Sequence, residues 1–317
     1  MSVILPDQYH LIDLLTKNRV HCITPHNAQS QDIRPLRIGI LNIMPNMEGY
    51  EFNLLNPLGR NILQIEPVWI RLESHDYQSL HQPGKEDSLE HFDTLYVTFA
   101  EAVAEKHLDG LIITGAPVGK IPFEDVKYWE EITSIFEYAR QHIPSTLGIC
   151  WGGIALAYYL GVKRTFYPEK LFGVFQGQNL NRDHAIIGDL DDVFSCPQSR
   201  YSRITDEELL AKQEEKVLNL LAYEKTAGYF IFESSDQKFL MHLGHPEYNR
   251  ARIIEEYERD LKAGLSEVKA PQDFDLQNPK NTWRSHRNEF FSSWIKYVYL
   301  NTEFTQTTIP FSTRLEK

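Results

Sequence analysis

Two short segments carry the residues that can do covalent chemistry. The first is Gly148-Ile149-Cys150-Trp151-Gly152-Gly153. The residues before it, Ser145 to Ile149, read as a short strand, and 151–160 reads as a helix. A cysteine at that junction is presented on the carboxyl edge of a sheet. The start of a helix favours negative charge, which suits a thiolate nucleophile. The flanking glycines permit a tight turn and close packing of helix on strand. The amide of Trp151 can point at the oxygen of a tetrahedral intermediate. A buried structural cysteine is the competing reading. The second segment is Gly244-His245-Pro246-Glu247. Proline pushes His245 towards extended backbone, where side chains two apart share a side. His245 and Glu247 can therefore converge, the carboxylate fixing the tautomer and supporting the imidazolium. Taken alone, the segment also reads as a surface His-Pro turn. Together the two segments meet the requirement for a thiol nucleophile served by an oriented imidazole.

Such segments need a scaffold that brings them together. The chain has 317 residues, 42% of them hydrophobic and 24% charged, which is an ordinary globular balance with ample material for a core. Leu36 to Ile43 and Leu108 to Thr114 read as buried strands, and Gln64 to Leu72 as another. Helices are expected near 7–17 and over 49–60, 124–141, 250–263 (closing at Gly264) and 286–301. Val217 to Ala222, Gly228 to Phe232 and Lys238 to His242 are later strands, with a hairpin turn at 233–237. Strands alternating with helices predict an α/β fold with a mostly parallel sheet covered on both faces. Residues 1–35 read as an N-terminal extension and 36–264 as the catalytic domain. Residues 265–317 read as a polar linker and a helix that packs on the domain or on a partner.

Composition excludes several classes. Forty-four acidic against 32 basic residues give a net charge of −12, which argues against nucleic-acid binding. A local basic pocket can still hold a small anion. Three cysteines (Cys22, Cys150, Cys196) form no disulfide framework and fit a reducing, cytoplasmic setting. The first residues lack a basic stretch followed by an apolar one, so no signal peptide is expected. The uncharged run from His142 to Val162 contains Pro144 and several glycines, and divides into strand, turn and helix rather than a membrane span. No P-loop, dinucleotide fingerprint or local zinc-ligand spacing is present, so neither a metal nor a resident cofactor is expected.

With these motifs the chain resembles the class I glutamine amidotransferase-like (flavodoxin-like) fold, with N- and C-terminal additions. Within it, the chain resembles the homoserine O-acyltransferase (homoserine transsuccinylase) family. The further motifs are Leu41-Asn42-Ile43-Met44-Pro45-Asn46, Thr114-Gly115-Ala116-Pro117, Glu169-Lys170-Leu171-Phe172-Gly173-Val174, Ser199-Arg200-Tyr201, His245-Pro246-Glu247-Tyr248 and Trp283-Arg284-Ser285-His286. The resemblance implies a Cys150-His245-Glu247 triad. It implies substrate contacts from Lys170, Ser199 and Arg259, with Arg259 taking the acceptor carboxylate, and a cytoplasmic homodimer. The Trp151 and Gly115 amides would form the oxyanion hole. An acyl-CoA, succinyl or acetyl, would be co-substrate, and L-homoserine the acceptor in methionine biosynthesis. Gly119 stands where the family's acetyl-type enzymes tend to carry glutamate, which favours succinyl-CoA. Two stretches depart from the family pattern: Met47-Glu48-Gly49-Tyr50-Glu51, and Gln198 in place of a histidine. They keep L-serine, on the way to cysteine, open as acceptor. Glutamine hydrolysis disagrees with Ile154, where glutaminases of this fold carry glutamine, and a non-catalytic binding protein disagrees with an intact triad.

Overall fold

The computed structural model describes residues 2–31, 33–82, 84–264 and 268–303. Twelve strands form one sheet among them: β1 (Ser2–Ile4), β2 (Cys22–Ile23), β3 (Leu36–Leu41), β4 (Gln64–Arg71), β5 (Val97–Thr98), β6 (Gly110–Ile113), β7 (Ser145–Ile149), β8 (Thr165–Asn179), β9 (Val193–Arg203), β10 (Leu218–Glu224), β11 (Gly228–Ser234) and β12 (Phe239–His242). Their order is β2-β1-β4-β3-β6-β7-β12-β11-β10-β8-β9, with β5 paired to β4. Pairings from β2 to β12 are parallel, and those from β12 to β9 are antiparallel. β3, β6, β7 and β12 are buried along their whole length. That is why their sequences read as continuous apolar runs rather than alternating ones.

The expected α/β class and mostly parallel sheet are borne out. Helices Met47–Leu58, Trp129–His142, Trp151–Tyr159, Arg250–Lys262 and Arg284–Asn301 fall within a few residues of the predicted spans, except that the third predicted span begins with a separate 3-10 turn, Phe123–Asp125. Gly264 takes φ +63°, the left-handed conformation that closes a helix. The first 35 residues are built into the sheet: Ser2 and Val3 pair with Gln64 and Ile65, and β2 lies outside β1. The last helix packs on the domain itself. It buries Phe290, Phe291, Trp294 and Val298, and the Trp294 indole N–H donates to the Ser145 hydroxyl at 3.0 Å.

The register of β7 against β12 is what positions the chemistry. Ile149 pairs with His242, so both strands end at the same level, and the Cys150 amide donates to the His242 carbonyl at 2.8 Å. Each of the two segments singled out above leaves the sheet at that edge. No helix among the described residues is long and apolar enough to cross a membrane.

Candidate active site

Cys150 sits between β7 and helix Trp151–Tyr159 with φ +52° and ψ −112°. A non-glycine residue held there is strained, and the strain is maintained by the packing around it. Glycines make that packing possible. A Cβ on Gly148 would come within 2.7 Å of the Gly152 carbonyl, and one on Gly152 would fall on the carbonyl oxygen of Ile113. Trp151 is the first residue of the helix, so its N–H has no partner within the helix. Gly115 lies alongside: a Cβ built on it would be 3.8 Å from both Cys150 Cβ and His245 Cε1. The Cys150 sulfur is 3.9 Å from the Ser199 carbonyl oxygen.

His245 is buried and lies beside Cys150, its Cε1 and the Cys150 Cβ flanking the same point at Gly115. Its Nδ1 is 2.7 Å from Glu247 Oε1, which leaves Nε2 for the sulfur. Burial pulls the imidazole down, but the adjacent Cys150 thiolate and the Glu247 carboxylate together push it up to about 10. The ring also stacks on Tyr248, centroids 4.0 Å apart. The two side chains converge as expected, though by a different backbone. The Tyr248 amide closes a turn onto the His245 carbonyl at 3.2 Å. Pro246 at the second position of that turn supplies the fixed φ, so a turn rather than an extended segment brings His245 and Glu247 together.

Glu247 is wholly buried. Its Oε1 also accepts a hydrogen bond from the Tyr50 hydroxyl at 2.5 Å, while Oε2 has no partner among the described residues. Tyr50 lies in the divergent 47–51 stretch and was not predicted to reach the site.

The three residues expected to contact substrate meet on one carboxylate that the sequence did not single out. Glu256 Oε1 accepts from Lys170 Nζ at 2.8 Å, Ser199 Oγ at 2.5 Å and Arg259 Nη2 at 3.2 Å. Its other oxygen accepts from the Tyr248 hydroxyl at 2.9 Å. Burial raises this carboxyl, but Lys170 and His245 outweigh burial and hold it well below the usual carboxylate range. Asp260 accepts from Lys170 at 2.6 Å and from Arg259 at 2.7 Å. Arg259 therefore pairs with Glu256 and Asp260, while Glu255 lies 3.7 Å from Arg252. The aligned signal was available: Ile253, Glu256 and Asp260 are the buried positions of helix Arg250–Lys262, so two acids occupy the inward face of an amphipathic helix.

These residues line a cleft of about 510 Å³ that also takes in Met44, Gly115, Ile154 and Gly119. The wall at Gly119 carries no side chain; a Cβ there would stand 3.6 Å from Ser202 Oγ. Lys120 Nζ lies 3.8 Å above the Tyr201 ring. Cys22 and Cys196 are free thiols pushed up by burial, and Gln198 is buried beside Cys196 rather than in the cleft.

A cysteine on a strand-to-helix turn, beside an imidazole carried on the neighbouring parallel strand's end, defines a protein of the class I glutamine amidotransferase fold. Solved structures support that fold: a glutamine amidotransferase from Methylobacillus flagellatus superposes with TM-score 0.52 at 13% identity, over 87% of this chain and 99% of that one. The glutaminase domain of Trypanosoma brucei CTPS with bound acivicin gives 0.50 at 10% identity, over 84% and 95%. More narrowly, the chain belongs to the homoserine O-succinyltransferase family, whose model matches residues 2–304, and it is an acyltransferase. Curated relatives named homoserine O-acetyltransferase include those of Geobacillus kaustophilus, 38% identical over 96% of this chain and 99% of that protein, and of Bacillus subtilis (strain 168), 37% identical over 96% and 99%. A third, from Lachnoclostridium phytofermentans, is 37% identical over 92% and 95%.

Proposed function

We propose that the cleft transfers an acyl group from acyl-CoA to the hydroxyl of L-homoserine, in methionine biosynthesis, through an acyl-cysteine at Cys150. The observation that carries this reading is the convergence of Cys150 and His245, the latter hydrogen-bonded to buried Glu247, at one end of a cleft whose other wall gathers Lys170, Ser199 and Arg259 on Glu256.

In the first half-reaction the Cys150 thiolate attacks the thioester carbonyl. The Trp151 and Gly115 amides hold the resulting oxyanion. The carbon–sulfur bond to CoA breaks, and CoA leaves with a proton from His245 Nε2. Acylation then changes the histidine. The thiolate charge is the larger of the influences that raise His245, and it is gone once the sulfur carries an acyl group. Burial remains and pulls the imidazole down while Glu247 still pushes it up, and His245, having given its proton to CoA, meets the second substrate as a neutral base. It takes the proton of the acceptor hydroxyl, the oxygen attacks the acyl-cysteine, and the sulfur departs as thiolate beside a renewed imidazolium.

Charge at the acceptor end supports an amino-acid substrate. Lys170, Arg252 and Arg259 face Glu256 and Asp260 in the same cleft, three cations against two carboxylates. The excess positive charge suits a ligand carboxylate. Arg259 is the exposed member, and its planar fork matches a carboxylate. The bare wall at Gly119 suits the longer succinyl group over acetyl.

The test is CoA release from succinyl-CoA and acetyl-CoA, each with homoserine and with serine, together with intact mass after exposure to donor alone. We expect homoserine to support release, succinyl-CoA to be the better donor, and an acyl adduct that is absent in Cys150→Ala. Turnover of Cys150→Ala at the parent rate, or release supported by serine and not homoserine, refutes the proposal.

A further inference from the structure

We propose that His10, Glu51 and His91 form a site for a divalent transition metal of the zinc class, apart from the catalytic cleft. The ligand atoms of the three residues all lie within 4.8 Å of one another. His91 Nε2 is 2.9 and 3.2 Å from the two oxygens of Glu51, and His10 Nε2 is 3.7 Å from Oε2. The imidazoles meet edge to face with centroids 4.2 Å apart. Tetrahedral zinc with bonds of about 2.1 Å separates its ligand atoms by about 3.4 Å. The spacings to Glu51 straddle that value, so side-chain adjustments of a few tenths of an ångström complete those two edges of the coordination sphere.

The donor set narrows the metal. Two imidazole nitrogens and one carboxylate suit zinc and its transition-metal neighbours; magnesium and calcium prefer oxygen alone. Three protein ligands leave a fourth position for water. Glu51 is wholly buried and held by the hydroxyls of Tyr9 and Tyr96, the latter at 2.8 Å. Those donors keep the carboxylate facing the imidazoles, as outer-shell partners of metal ligands do. A plain Glu51–His91 ion pair needs no second imidazole; here one arrives from a different segment and points its Nε2 at the same carboxylate. His10 is exposed, which gives an ion a way in. The ligands come from the N-terminal segment, helix Met47–Leu58 and helix Glu86–Leu95, so no local spacing announces them, and the expectation of no metal rested on local spacing. A bound ion clamps the N-terminal segment onto the helix whose Tyr50 touches Glu247.

The experiment uses the full chain carrying Cys150→Ala, so that the active-site thiol cannot compete, after treatment with chelator. Zinc chloride is titrated calorimetrically, and Co²⁺ is added in a parallel absorption experiment. We expect one zinc per chain at micromolar affinity or tighter. We also expect a cobalt spectrum without a thiolate charge-transfer band, and an affinity reduced at least about tenfold in His10→Ala and in His91→Gln. The exposed His10 variant guards against misfolding, which circular dichroism checks. Binding no stronger than millimolar, affinity unchanged in both variants, or a thiolate band overturns the proposal.

Discussion

Replacing Tyr50 by phenylalanine removes one oxygen and leaves the buried ring in place, so no cavity opens and the effect isolates one hydrogen bond. That bond is 2.5 Å long and ends on a carboxylate, the range of charge-assisted O–H···O⁻ contacts. Burial, reinforced by Glu247, pushes the Tyr50 hydroxyl well above its ordinary value, so it remains a donor across the working pH range. In the variant, Glu247 stays buried with His245 as its one remaining partner among the described residues. Hydrogen bonds to charged groups contribute about 1.5–3 kcal/mol, and we expect unfolding free energy to fall by that amount. Rate should respond less, because the bond persists through both half-reactions. Its loss leaves the carboxylate charge less dispersed, so Glu247 holds the imidazolium more tightly and His245 gives up its proton to CoA less readily. One unit of upward shift corresponds to about 1.4 kcal/mol, so kcat should drop by at most about tenfold with KM for the acceptor little changed. The sign of the pH effect follows. His245 is raised in the folded protein to about 10, so its contribution to stability is complete below about pH 6.5 and is lost as pH climbs through about 10. Tyr50→Phe should move the upper end of that window higher. Denaturant unfolding, kcat against pH and nitrogen NMR of the His245 ring measure these effects. Unfolding free energy within about 0.5 kcal/mol of the parent, with an unmoved His245 titration, sinks the reasoning.

Glu256→Gln keeps the shape of the hub and removes its charge. KM for the amino-acid acceptor should rise at least about tenfold while KM for the acyl donor changes little, read from steady-state kinetics; equal changes in both would contradict its place at the acceptor end. Gly152→Ala drives a Cβ into the Ile113 carbonyl, a backbone group that cannot swing aside. It should cost about 1–3 kcal/mol or more in denaturant unfolding and slow acylation of Cys150 by mass spectrometry, and a variant as stable as the parent would remove the packing argument for this glycine.

The part of the site that was legible in sequence is the part built from local signals. A short strand, a glycine-flanked cysteine and a helix start sit within ten residues, and His-Pro-Glu places base and carboxylate two apart. The central strands were legible because burial on both faces makes them uniformly apolar. Strands β8 and β9 were not read, although they carry Lys170 and Ser199. β8 mixes exposed and buried positions, contains Pro168, Gly173 and Gly177, and its register shifts between Phe166 and Leu171, so neither alternation nor an apolar run marks it. Tyr50 and Glu256 escaped for another reason: Tyr50 meets Glu247 from far away in sequence, and the helix face that marks Glu256 as inward does not say that Lys170 and Ser199 come to it from distant strands.

The site is divided between the two halves of the sheet, and Glu256 is one of the contacts that joins them. Cys150 and His245 leave the parallel half at β7 and β12, whose register fixes their separation. Lys170 and Ser199 come from the antiparallel pair β8 and β9, which is linked to the parallel half within the sheet by β10 and β11 and touches it directly where the His245 amide donates to the Pro197 carbonyl at 2.8 Å. That backbone contact does not by itself set the side chains of the acceptor wall, which attack on an acyl-cysteine in preference to hydrolysis requires to be closely placed. Helix Arg250–Lys262 follows directly from the His245 turn, and its Glu256 binds Lys170 and Ser199 on one side and Tyr248 on the other. Tyr248 in turn stacks on His245. One carboxylate thereby ties the acceptor wall to the imidazole that must deprotonate the acceptor, by a chain of contacts each shorter than about 4 Å.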